Sequence, residues 1–85
     1  MKTTILFFVN GMEISKQEIH KSHRNVVRNA LWTVEHQQVC SNSMSEKLLK
    51  YEHHEENLTE LEVLLDGKNF MYISIFTNDT EERIV

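Results

Sequence analysis

The stretch Ile5-Leu6-Phe7-Phe8-Val9-Asn10-Gly11-Met12-Glu13-Ile14 decides the fold. Two runs rich in β-branched and aromatic residues flank an Asn-Gly pair, the sequence that best tolerates the two positive φ angles of a tight hairpin turn. A two-residue loop sets Val9 opposite Met12 and Phe7 opposite Ile14, on one face with Ile5. Leu6 and Phe8 then fall on the other face. Because both faces are apolar, this strand is expected at the centre of a sheet or covered on both sides.

Outward from the hairpin, Ser15 with Glu18 reads as a capping box, and no glycine or proline interrupts the chain from Lys16 to Gln38. Ile19, Val26, Val27, Ala30, Leu31 and Val34 fall within an arc of about 140° on a helical wheel. The pattern predicts one long amphipathic helix over residues 16–38, its apolar arc lying on the sheet. Cys40 to Ser45 is small and polar and reads as a loop. Residues 46–56 are ambiguous. Ser43 and Glu46 suit a short helix, whereas Leu49, Tyr51 and His53 alternate with Lys50, Glu52 and His54 as in a strand, the reading favoured here. Leu61, Val63 and Leu65 alternate with Glu60 and Glu62 up to Asp66-Gly67, and Phe70 to Phe76 follows, so residues 59–76 read as a second hairpin. A helix from Asn57 to Gly67 is the competing reading. Residues 77–85 are expected to form a flexible tail. The sum is a single α+β domain over residues 1–85: N-terminal hairpin over 1–15, one long helix on an antiparallel sheet, and C-terminal hairpin.

Length and composition narrow the function classes. The chain has 85 residues, so a two-domain cleft or a barrel enzyme is excluded, and burial of its own surface is limited. An apolar share of 40% and a charged share of 26% are those of a folding chain. The apolar run Ile5 to Val9 is too short for a signal peptide or a membrane span. A lone Cys40 makes no internal disulfide, so the expected setting is the reducing cytoplasm, and the short, proline-free, Lys- and Glu-rich composition suits a bacterial or phage product. The net charge of −4 is uneven: residues 1–45 carry five cations against three carboxylates, and residues 46–85 carry four against ten.

Four groups of residues are candidates for function. Lys21, Arg24 and Arg28, spaced three and four apart with Trp32 one turn on, form a basic ridge ending in an aromatic, suited to a protein contact or to phosphate and a base. Few cations, Glu35 in the ridge and an acidic whole argue against nucleic acid. Glu52, Glu55, Glu56, Glu60 and Glu62 could line one edge or face, docking a basic partner or guarding a sheet edge against unwanted pairing. His20, His23, His53 and His54 are weak metal candidates, because their spacing matches no closed zinc site. His23 lies inside the apolar arc and is expected to be a neutral ring hydrogen-bonded to a sheet carbonyl or carboxylate, so that acid destabilises the fold if the ring is buried in that way. Cys40 four residues after His36 is a weak thiolate pair without a third group. No phosphate loop or nucleophile elbow occurs.

These residues lead to an expectation of a small protein without enzymatic activity or cofactor, acting stoichiometrically as a regulator, adaptor or inhibitor of a protein partner. A homodimer is expected as well, because one helix cannot cover two apolar sheet faces. Nucleic-acid association is the alternative, and histidine-mediated metal binding the third.

Overall fold

The computed structural model describes residues 2–40, 47–66 and 68–78. The elements run β1 (Lys2–Val9), β2 (Met12–Ile19), α1 (His23–Cys40), β3 (Leu49–Glu55), β4 (Leu58–Asp66) and β5 (Asn69–Asn78). All strands are antiparallel in one sheet of order β2-β1-β5-β4-β3, so the expected α+β fold with terminal hairpins is present. β1 is interior, between β2 and β5, as its two apolar faces required. Residues 49–55 are a strand, and the hairpin over 59–76 is β4 and β5. Thr77 and Asn78 extend β5 and so do not belong to a tail, while residues 79–85 lie outside the described residues.

The first turn forms as its Asn-Gly pair dictates, with φ of 51° at Asn10 and 84° at Gly11. Val9 faces Met12 as expected, but Phe7 faces Ser15 and not Ile14, because a bulge at Ile14 shifts the register. Without the extra residue, Lys16 and Glu18 would lie on the core side opposite Ile5 and Thr3. With it they move to the opposite face, and Ile19 comes opposite Thr3 and packs against the core.

The helix is the larger correction. It begins at His23, not at Lys16, and residues 16–19 continue β2. Ser15 and Glu18 satisfy a capping-box spacing, but a helix from residue 16 would strip Thr3 to Leu6 of their partners along that side of β1. The ladder wins over the local signal. The true cap is Ser22, whose Oγ accepts from the backbone N–H of Asn25 at 3.3 Å, three residues on. The Ser22 carbonyl receives the first helical bond, from Val26 N at 3.1 Å.

α1 lies on one face of the sheet. Val26 and Val27 are buried against Ile5, Leu61, Val63, Ile73 and Ile75, with Ala30, Leu31 and Val34 packed around them. Ile19 joins this core from β2, not from the helix where the wheel placed it. Leu61 and Ile75, both 0% exposed, sit at its centre. A bulge at Lys50 in β3 puts Leu49, Glu52 and His54 opposite Val63, Leu61 and Thr59 of the covered face. No helix of the described residues is long and apolar enough to cross a membrane.

Candidate functional sites: a threonine–histidine cluster and an open sheet face

At the N-terminal end of α1 the covered face is polar. Thr3, Thr59 and Thr77 point inward from β1, β4 and β5 and are buried, each with a partner. Thr3 Oγ1 donates to the Lys21 carbonyl at 2.8 Å and lies 2.8 Å from Thr77 Oγ1. His23, the first helical residue, bridges two strands, its Nδ1 lying 3.0 Å from Thr77 Oγ1 and its Nε2 3.0 Å from Thr59 Oγ1. From β3, His54 Nδ1 meets the same Thr59 hydroxyl at 3.1 Å, and its Nε2 meets Glu52 Oε2 at 2.6 Å. Burial, and then the nearby His54, hold the His23 ring below its ordinary pKa. The ring is hydrogen-bonded as expected, but it is half-buried and its partners are two threonine hydroxyls, not the sheet carbonyl or carboxylate that was expected. The three threonines, and the meeting of His54 with His23, were absent from the sequence reading. Alternating inward threonines are the only trace of them in the sequence.

This cluster floors a groove of about 750 Å³ between α1 and the β3–β4 turn. Arg24, Arg28 and Trp32 line it from the helix, and Glu55 and Glu56 from the turn side. Three members of the basic ridge are thus brought together. Lys21 precedes the helix and lines, together with Arg28 and Trp32, a second groove of about 1180 Å³ that runs along α1 from β2 across to β4. Trp32 is 59% exposed and stacks on His36, with centroids 5.1 Å apart and planes 9° apart. Cys40 Sγ lies 3.6 Å from His36 Nε2 at the exposed helix end.

The histidines do not converge as a metal set. Among the described residues no group of three or more His, Cys, Asp or Glu side chains is placed to hold an ion. His53 alternates with His54 along β3 and pairs with Glu55 at 2.9 Å, and His20 is exposed between β2 and α1.

The other face of the sheet carries no element among the described residues. Its cross-strand rows follow from the register: Glu13, Phe8, Tyr72, Glu62 and Tyr51 in one; Lys16, Leu6, Ser74, Glu60 and His53 in the next; Glu18, Thr4, Phe76, Leu58 and Glu55 in a third. A band of Leu6, Phe8, Tyr72 and Phe76 along β1 and β5, interrupted by Thr4 and Ser74, thereby has Glu60 and Glu62 on its β4 side and Glu13, Lys16 and Glu18 on its β2 side, where Glu18 pairs with Lys2 at 3.7 Å and with Lys16 at 3.9 Å. Phe8 and Tyr72 pack at 5.7 Å, and Phe70 and Phe76 are each 37% exposed. The Tyr72 hydroxyl donates to Glu60, and burial together with that carboxylate pushes its pKa up to about 12. Of the acidic group, Glu55, Glu60 and Glu62 share this face. Glu52 turns to the helix side and Glu56 sits in the β3–β4 turn, so the five do not form one surface.

In comparisons with known proteins, the chain matches no family model, no curated protein and no solved structure.

Proposed function

We propose that this chain is a non-enzymatic binding protein whose open sheet face receives an apolar helix of a protein partner, flanked by lysine or arginine. One observation carries the reading: an aromatic band with Glu60 and Glu62 along its β4 side and Glu13 across from Glu62 on its β2 side, on a sheet whose other face already holds a helix. A sheet face of this kind is buried against a helix or a second sheet in stable folds. Glu13 and Glu62 stand three strand spacings apart in one row, about 14 Å. A helix with its side chains is about 10–12 Å wide, so its apolar stripe would meet Phe8 and Tyr72 while its flanking cations meet the carboxylates. A second copy of this chain would bring another acidic face against this one, which favours a basic partner over a homodimer.

Binding of this kind suits a stoichiometric regulator, adaptor or inhibitor in the cytoplasm, where a free Cys40 persists as a thiol. The groove with Arg24, Arg28 and Trp32 supports the nucleic-acid alternative less well, because Glu35 and Glu56 line the same space and would repel a phosphate track.

Fluorescence anisotropy of a labelled Lys/Leu amphipathic peptide of about 18 residues, beside a Glu/Leu peptide of the same pattern, tests the reading. Only the Lys/Leu peptide binds, and Phe8→Ser with Phe76→Ser weakens it by about tenfold or more, while Arg28→Ala with Trp32→Ala leaves it unchanged. Equal binding of both peptides overturns the reading. So does a peptide-blind dimer by light scattering, or retention of DNA at low salt through Arg24 and Arg28.

A further inference from the structure

We propose that His23 and His54 hold a single extra proton between them, shared through the hydroxyl of Thr59. The geometry favours it by hydrogen count, each contact being best satisfied by one hydrogen. Six contacts link the Lys21 carbonyl, Thr3, Thr77, His23, Thr59, His54 and Glu52 into one chain, and each needs one hydrogen. Both ends of the chain, the Lys21 carbonyl and the ionised Glu52 carboxylate, only accept. Three hydroxyls supply three hydrogens and two neutral imidazoles supply two. The chain is one hydrogen short unless one ring is an imidazolium.

Direction follows link by link. Thr3 spends its hydrogen on the Lys21 carbonyl, so Thr77 donates to Thr3 and accepts from His23 Nδ1–H. With His23 neutral, Nε2 accepts from Thr59, and Thr59 in turn accepts from His54 Nδ1–H. His54 Nε2–H then donates to Glu52, which leaves His54 as the imidazolium. The alternative places the charge on His23: Nε2–H donates to Thr59, Thr59 donates to His54 Nδ1, and His54 keeps only Nε2–H. The two states interconvert when one proton leaves His54 Nδ1 for Thr59 as the Thr59 hydrogen passes to His23 Nε2. No atom is gained or lost.

The first state is the favoured one. His23 stands at the N-terminus of α1, where the helix dipole opposes a cation, and Arg24 and Arg28 flank it from the same helix. His54 has Glu52 beside it on β3, its Nε2 2.6 Å from Glu52 Oε2, with Glu56 lining the groove from the β3–β4 turn. Among the described residues, the cluster's hydrogen bonds from β1 and β5 come from the uncharged Thr3 and Thr77 and that from the β2–α1 connection from the Lys21 carbonyl, with His20 of the same connection exposed. The proton therefore ties the outer strand β3 to the start of the helix. Losing it leaves one link without a hydrogen, and adding a second sets two imidazoliums on one hydroxyl.

Nitrogen-15 NMR of the histidine rings at about pH 6 reads the state directly. His23 is expected as the neutral tautomer with hydrogen on Nδ1, and His54 with both ring nitrogens protonated. In Thr59→Val the His23 ring signals no longer respond when Glu52→Gln is added. In Glu52→Gln, an exposed change that leaves the core intact, the doubly protonated fraction of His54 falls at the same pH. His23 found as the Nε2–H tautomer, both rings neutral at that pH, or a Glu52→Gln protein with unchanged ring signals would each overturn the proposal.

Discussion

The two faces of the sheet are made from the same five strands and differ in what closes them. The covered face packs two valines of α1 onto aliphatic side chains and ends in threonines and histidines that satisfy one another. The open face carries larger, aromatic side chains, half-buried by their own strand neighbours, with carboxylates along β4 and a mixed Glu13, Lys16 and Glu18 row on β2. Alternation along a strand distributes side chains without regard to what will cover them, and the aromatics left half-exposed among the described residues are the ground for proposing an occupant there. The comparison separates stability, which resides on the helix side, from recognition, which we assign to the other.

The largest effect is expected on the covered face. Leu61→Ala removes a fully buried side chain between β5 and the helix, and should cost about 2–5 kcal/mol in urea unfolding. Phe76→Ser on the open face should cost distinctly less while weakening the peptide. If Phe76→Ser destabilised as much as Leu61→Ala, the separation of roles would fail.

Next comes the polar end of the covered face. Thr59→Val deprives His23 and His54 of their common hydroxyl and should cost about 1–3 kcal/mol. The same cluster sets a pH dependence. Because the His23 ring is held below its ordinary value of 6.5, the unfolded chain binds that proton more readily than the folded one. Its contribution to stability is present above about pH 6.5 and is lost as pH falls through the lowered folded value. Urea midpoints should therefore decline with acid below that pH, and the decline should be shallower in His23→Gln. A slope unchanged by that variant would show that other groups carry the acid sensitivity.

The smallest effect lies at the turn that starts the fold. A Cβ at Gly11 meets nothing within 4 Å, so Gly11→Ala isolates the backbone cost of φ +84°, about 1–2 kcal/mol. A neutral result would mean the turn relaxes to another type, and the Val9 to Met12 pairing would move with it.

How much of this was legible in the sequence depends on the range over which each feature is decided. The Asn10-Gly11 turn, the interior place of β1 and the β4–β5 hairpin are written in neighbouring residues and in alternation. The helix start was not. Ser15 and Glu18 fit a local cap, and only the ladder with β1, between residues distant from the helix, assigns Lys16 to Ile19 to a strand. The Ile14 bulge is decided the same way, by which face can bear Lys16 and Glu18. For the sites, the sequence placed Arg24, Arg28 and Trp32 on one helix surface and made His23 an inward ring. It could not bring His54 to His23, since that meeting depends on the β3–β4 register and on a threonine between them. Nor could it divide the acidic residues between faces, because the bulge at Lys50 alters the alternation that would have assigned them.

Chemical-shift mapping of the uniformly labelled chain with the Lys/Leu peptide tests the central claim most directly. The account predicts shifts concentrated at Leu6, Phe8, Glu60, Glu62, Tyr72 and Phe76, with the amides of α1 little changed. Shifts gathered instead on Arg24, Arg28 and Trp32 would place recognition on the helix side and contradict it.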